Sequence, residues 1–273
     1  MRFVKRYSMY GLFKILYLGD VVGRPARRYL KSNLARVKKD FSIDLVVING
    51  ENAAAGSGIN LRSIRDLLGA GADIITLGDH VLDRDFIKES KDMVDLSVVC
   101  VPCNTAAPIE GTQFVRVEKG GASIGVCIML GKQFMKIPAT CPFKKLDEML
   151  DKHRRMVDIF VSEIHAEVTS EKIAYGWYAD GRADAIVGTH THVQTSDEAI
   201  LPKGTAYISD LGMCGAHKSV IGRDISAVID SFVTGRKQRL EVAEEDVRLN
   251  GCIIDFDLSE KKVSKISRFS FKD

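Results

Sequence analysis

Asp20, Glu51, Asn52, Asp79, His80, His165, His190 and His192 share a placement: each follows or closes an apolar run of strand-like composition. KILYLG runs into Asp20, DLVVING into Glu51-Asn52, and DIITLG into Asp79-His80. DIFVSEI runs into His165, and DAIVGT into His190-Thr191-His192. Parallel sheets bind ligands in the crevice beyond the carboxyl ends of their strands, so these side chains are expected to face one cavity. Three carboxylates, an amide and three or four imidazoles exceed what one ion needs. They suit two transition-metal ions that share a bridging carboxylate, which is machinery for hydrolysing phosphate esters.

Each residue alone has a plainer reading. Asp20 fits the N-cap of the following helix, Glu51-Asn52 fits a loop, and a lone histidine is more often a core or surface residue than a ligand. The convergence of all of them at strand ends is what favours a site.

The elements that must position them alternate. Strand 14–19 leads to a helix near 25–40 opened by Pro25, with Leu30, Leu34 and Val37 at helical spacing. Strand 44–49 leads through Ala55-Gly56-Ser57-Gly58 to a helix near 61–70, and strand 73–77 leads to a helix near 83–90. Such units are right-handed crossovers between parallel strands. Residues 113–117 and 123–129 then read as a hairpin around Gly120-Gly121. A helix near 143–156, strand 157–164, a helix near 171–181, strands 184–188 and 205–209, and a second hairpin over 252–258 and 263–271 complete the chain. Crossovers and hairpins together imply mixed sheets. The expected fold is a four-layer α/β/β/α sandwich, two mixed sheets flanked by helices. No linker divides it, so residues 12–273 read as a single domain after a loose basic extension over 1–11, with Met9 as an alternative start.

Composition narrows the class. The hydrophobic fraction is 45% and the charged fraction 27%, as in an ordinary globular enzyme. A net charge of +3 supports no dedicated nucleic-acid surface. No apolar run is long enough to span a membrane. The N-terminus has a basic-then-apolar order, but Lys14 interrupts it and no small-residue cleavage site precedes Asp20. Six scattered cysteines indicate a reducing compartment, hence a cytoplasmic protein, and Cys100-Val101-Pro102-Cys103 reads as buried thiols rather than a zinc or redox pair.

Longer motifs carry a resemblance. Leu18-Gly-Asp-Val-Val-Gly23, Ile48-Asn-Gly-Glu-Asn-Ala-Ala54, Ile75-Thr-Leu-Gly-Asp-His80, His165-Ala-Glu-Val-Thr-Ser-Glu-Lys172, Gly188-Thr-His-Thr-His-Val193 and Thr205-Ala-Tyr-Ile-Ser-Asp-Leu-Gly-Met-Cys-Gly215 occur in order. From residue 14 to about 270 the chain resembles the YmdB-like branch of the calcineurin-type metallophosphoesterases. The resemblance implies that Asp20, Glu51, Asn52 and His192 hold one metal and that Glu51, Asp79, His165 and His190 hold the second, with Glu51 bridging. It implies His80 as proton donor and a phosphodiesterase acting on cyclic nucleotides, 2′,3′-cyclic ones foremost and 3′,5′-cyclic ones as well. Iron is the leading metal, with manganese and zinc as alternatives. A histidine near neutrality suits protonation of a departing ribose oxygen. The competing readings are a phosphomonoesterase or RNA-end phosphatase on the same site, and a non-catalytic nucleotide- or RNA-binding regulator. The expected partner is a small nucleotide, with RNA ends as an alternative; no membrane is expected, and a homo-oligomer is compatible with the sequence.

Two positions depart from the family pattern. Asp79 stands where the family has Asn in Gly-Asn-His, and Gly215-Ala-His-Lys-Ser219 replaces a more glycine- or proline-rich loop. His217 in that loop reads as a surface histidine ahead of a substrate contact, and His153 as part of a solvated helix face. Gly56 and Gly58 read as a plain loop close to the site ahead of a phosphate-binding nest.

Overall fold

The computed structural model describes residues 11–86, 88 and 93–273. β1 (Leu12–Leu18) starts the first sheet with strict alternation. Ile15 and Tyr17 turn into the space between two sheets, while Leu16 and Leu18 turn outward under helices. β2 (Asp20–Val21), α1 (Gly23–Asp40), β3 (Leu45–Asn49), α2 (Leu61–Ala70), β4 (Ile74–Thr76) and β5 (Val99–Cys100) follow. β1, β3, β4 and β5 lie parallel, as their crossovers require.

The hairpin β6 (Val115–Lys119) and β7 (Ala122–Leu130) opens the second sheet. α3 (Pro142–His153), β8 (Ile159–His165), α4 (Thr169–Ala179), β9 (Ala185–Thr189), β10 (Ala199–Ile200) and β11 (Ala206–Ile208) continue it. β12 (Met213–Ala216), α5 (Ile225–Thr234), β13 (Val247–Asp257) and β14 (Lys262–Phe271) return to the first sheet. The sheet orders are β2-β12-β13-β1-β3-β4-β5, with β14 beside β13, and β10-β11-β9-β8-β7-β6.

Three apolar layers hold the stack. The central one joins β1, β3 and β13 to β7, β8 and β9 through Phe13, Tyr17, Val47, Val126, Val161 and Phe256. The second packs α1 and α2 on the first sheet, and the third packs α3 and α4 on the second. The expected four-layer sandwich is thus the observed architecture.

Several expectations change in detail. α1 begins at Gly23 rather than Pro25, because the left-handed Gly23 (φ 69°) turns the chain where a Cβ would strike Val242. Asp79–Leu82 is a 3₁₀ turn, and the helix expected near 83–90 lies partly on residues outside those described, as does nearly all of the 1–11 extension. β2, β5, β10, β12 and α5 have no counterpart in the sequence reading. His153 is no solvated residue: half-buried, it stacks on Phe114 with centroids 4.1 Å apart. His217 is half-buried too, with Nε2 3.0 Å from Asn250 Nδ2, which makes it a structural residue. Cys100 and Cys103 are buried free thiols, as expected. Among the described residues no helix is long and apolar enough to cross a membrane.

Candidate metal centre

The first sheet delivers the carboxylates, with Asn52 and His80, and the second delivers the other three imidazoles. Asp20 sits in β2, Glu51 and Asn52 follow β3, and Asp79 and His80 follow β4. His165 is the last residue of β8, and His190 and His192 follow β9. The strand ends meet along the seam between the sheets; seven of the eight predicted side chains gather there, and His80 adjoins them through its backbone N–H, 3.2 Å from Glu51 Oε2.

One ligand atom each from Glu51, Asp79, His165 and His190 lie within 4.8 Å of one another. His165 Nε2 stands 3.0 Å from Glu51 Oε1, 3.1 Å from Asp79 Oδ1 and 3.0 Å from His190 Nδ1. Beside this group lies a second. His192 Nε2 is 3.3 Å from Asn52 Nδ2 and 3.9 Å from Asp20 Oδ1, and the Asn52 amide donates to Glu51 Oε1 at 3.0 Å. Asp20 is no helix cap; Val22 occupies that position in α1.

Local backbone makes the approach close enough. A Cβ on Gly78 would collide with Glu51 Oε2 and His165 Nε2, so only glycine lets the chain pass beneath them. His190 (φ 103°) and His192 (φ 66°) hold strained positive φ, as residues at functional sites often do. A buried ion pair stabilises that turn: Lys172 Nζ reaches Asp210 Oδ2 at 2.7 Å, and the same oxygen accepts from Thr191 N and Oγ1.

The imidazoles are held by their far nitrogens. Tyr17, Asn49 and Thr189 all donate to buried Glu163, at 2.7, 2.7 and 2.6 Å. Thr189 thereby spends its one proton, so its oxygen accepts from His165 Nδ1–H at 2.8 Å and leaves Nε2 for the cluster. Glu167 Oε2 lies 3.1 Å from His190 Nε2, and the Ile221 carbonyl 3.0 Å from His192 Nδ1. His80 Nδ1 lies 2.7 Å from Asp83 Oδ2, which Ser57 also contacts, while Lys136 Nζ lies 2.6 Å from Asp83 Oδ1. That arrangement engages His80 through Nδ1.

Charge follows from this packing. Burial pushes the Asp20 carboxyl up to about 7. Burial also favours the neutral forms of Glu51 and Asp79, but the adjoining imidazoles outweigh it and hold both below the usual carboxylate range. Burial opposes charge on His165, yet Glu51 and Asp79 raise it well above an ordinary histidine. Burial lowers His192, favouring the neutral imidazole that ligation requires. Despite partial burial, Lys136, Ser57 and His80 hold Asp83 down at about 2.

Asp20 Oδ1 is buried and has no hydrogen-bond partner, which is costly for a protein group and natural for an oxygen that faces a cation. With oxygen and imidazole donors throughout, the cluster is compatible with a dinuclear metal site.

Sequence reasoning missed Ser57, Asp83, Lys136, Glu163, Glu167, Thr189 and Asp210. Only Glu163 left a usable signal, an acid on the same strand face as His165 within an apolar run. Gly56 and Gly58, read as plain loop, carry positive φ, and Arg223 packs over Gly56 so closely that a Cβ there would strike its guanidinium.

Comparison with known proteins agrees with this geometry. The chain is 41% identical over 261 residues to a 2′,3′-cyclic-nucleotide 2′-phosphodiesterase of Bacillus subtilis, covering 95% of this chain and 97% of that protein. A crystal structure of a hypothetical protein from Thermus thermophilus superposes with a TM-score of 0.88 at 37% identity, covering 96% of this chain and all of that one. A novel phosphatase from Mycoplasma pneumoniae also gives 0.88, at 34% identity, covering 96% of this chain and 94% of that one. The family model described as YmdB-like protein matches residues 16–269, and the chain belongs to that family of metallophosphoesterases.

Proposed function

We propose that the protein is a dinuclear-metal phosphodiesterase acting on 2′,3′-cyclic nucleotides, with 3′,5′-cyclic nucleotides as secondary substrates. The observation that carries this reading is the position of Glu51. Its Oε1 faces His165 on one side and Asn52 on the other, so one carboxylate stands between two ligand groups. In this reading Asp20, Glu51, Asn52 and His192 hold one ion, and Glu51, Asp79, His165 and His190 hold the other. Iron is the leading candidate, with manganese or zinc as alternatives. When bound, the ions supply positive charge for the phosphoryl oxygens and acidify water.

The chain's own residues do the rest. Asp83 orients His80 so that Nε2 presents a proton to the departing ribose oxygen. Glu163, acting through Thr189, fixes the His165 Nδ1–H away from the cluster and turns Nε2 toward it, where an ion would take the place of a proton. Asp210 and Lys172 hold the strained turn that carries His190 and His192.

The test pairs metal analysis with hydrolysis of 2′,3′- and 3′,5′-cyclic nucleotides, nucleoside monophosphates and phosphorylated RNA ends. About two ions per chain and preferential hydrolysis of 2′,3′-cyclic diesters are expected. Glu51→Gln should lose both ions, whereas His192→Ala and His165→Ala should each weaken mainly one. Equal loss of both ions in all three variants would overturn the assignment. Two ions without turnover would mark a binding protein, and monoester turnover alone a phosphatase.

A further inference from the structure

We propose that Phe134 is the stacking platform of a nucleobase subsite at the rim of the metal centre. This rests on the reading of the protein as a nucleotide phosphodiesterase and adds where the base is held. The segment 131–141 leaves the end of β7, whose last residue, Leu130, pairs in register with His165. It is pinned on both sides of Phe134. The Lys132 and Gln133 backbone N–H groups donate to Glu171 at 3.0 and 3.3 Å. Met135 Sδ accepts the Glu167 N–H at 3.3 Å, and the Glu167 carboxylate touches His190. Lys136 Nζ reaches Asp83 and stands 3.4 Å from His80 Nδ1. The loop therefore crosses the mouth of the site from the His190 side to the His80 side.

Phe134 stands at the entry to that crossing, between the Glu171-bound Gln133 and the Glu167-bound Met135, and is 88% exposed. Its backbone is left-handed, with φ 60°, a conformation that phenylalanine rarely adopts and that costs free energy to hold. An exposed apolar residue is ordinary in itself. An aromatic ring in a strained turn, on a loop fastened to both histidine groups, is not. The side chains gathered below it are carboxylates, imidazoles and an amide, suited to ions and phosphate. A nucleotide also carries a flat base, and an aromatic face at the rim recognises it by stacking, tolerantly and most strongly for purines.

The test compares wild type, Phe134→Ala and Phe134→Tyr on 2′,3′-cyclic AMP, 2′,3′-cyclic CMP and glycerol 1,2-cyclic phosphate. The last has the same five-membered cyclic diester and no base. Phe134→Ala should raise KM for cyclic AMP by roughly 5- to 100-fold, the range expected for one lost base stack, with kcat little changed. The preference for the purine should flatten, glycerol cyclic phosphate should be turned over as before, and Phe134→Tyr should restore the wild-type pattern. Equal losses on all three substrates, or none on cyclic AMP, overturn the subsite. If wild type hydrolyses none of them, the functional reading fails by itself. Calorimetric binding of adenosine 3′-monophosphate to the metal-loaded protein then decides the subsite. Binding weakened in Phe134→Ala and restored in Phe134→Tyr keeps it, and binding that is absent or indifferent to Phe134 removes it.

Discussion

A carboxylate with no exposed surface and one unpartnered oxygen is costly to ionise, and Asp20 shows the effect at about 7. An unfolded aspartate ionises near 4. Between about pH 4 and 7 the unfolded chain releases this proton while the folded chain keeps it. Asp20's contribution to stability is therefore full below pH 4 and declines as pH rises to 7. In chelator, Asp20→Asn should melt higher than wild type at pH 8 and show no such gain at pH 4; thermal melts at both values check this, and an equal gain at both would remove the explanation. Asp79 poses a second charge question. With Asp20, Glu51 and Asp79 the site carries three carboxylates, where the Asn that the sequence resemblance implies would leave two. The extra charge should tighten metal binding, repel an anionic diester and make bound water less acidic. Asp79→Asn is expected to bind metal more weakly and turn over faster, as a metal titration beside a pH–rate profile would show. Unchanged affinity and rate would make Asp79 a neutral replacement. The strand-end placement of the eight proposed site residues was legible, because type and position reinforce one another there. Asp83 and Lys136 were not, since a charged residue in a polar loop looks the same whether or not it faces a histidine.

At the scale of elements, the relay from β8 through β9 decides how His165 presents itself. Thr189 contributes one hydroxyl, and its direction is fixed because Glu163 takes the proton. Thr189→Val keeps the shape and strand propensity of the residue but leaves His165 Nδ1 without an acceptor. Metal affinity should fall about 10- to 100-fold, the usual effect of removing such outer support, while the fold persists. Metal competition titration with circular dichroism checks both halves, and unchanged affinity would mean that the ring is held by packing alone. The βαβ units and both hairpins were readable from alternation, the first hairpin also from its Gly120-Gly121 turn and the second from the polar turn Ser259–Lys262. What stayed hidden has physical reasons. β2, β5 and β10 have two residues each, too few for a period. In α5 only Val228 is buried, while Ile229, Phe232 and Val233 face outward, so its apolar residues do not mark a buried face.

For the molecule as a whole, the seam between the sheets is both core and active site. Tyr17 of β1 and Asn49 of β3 reach across it to Glu163 of β8, directly beneath the point where carboxylates from one sheet meet imidazoles from the other. An ion bound there touches both sheets, so it favours the folded state by mass action. At a hundredfold excess over Kd this amounts to about 2.7 kcal/mol per site. For a chain of this size each occupied site should raise the melting temperature by roughly 5–10 °C. Tyr17→Phe removes one of the struts and leaves Glu163 Oε2 buried without its partner, a loss of roughly 1–3 kcal/mol. If the seam and the site are one mechanical unit, that variant should melt lower without metal. It should also gain less from metal than wild type, because sheets that are less firmly registered hold the ligand atoms less well. Melting curves of both proteins across a metal titration separate the two effects. A Tyr17→Phe protein that melts lower but keeps the whole metal-induced rise would show that the strut supports the core alone.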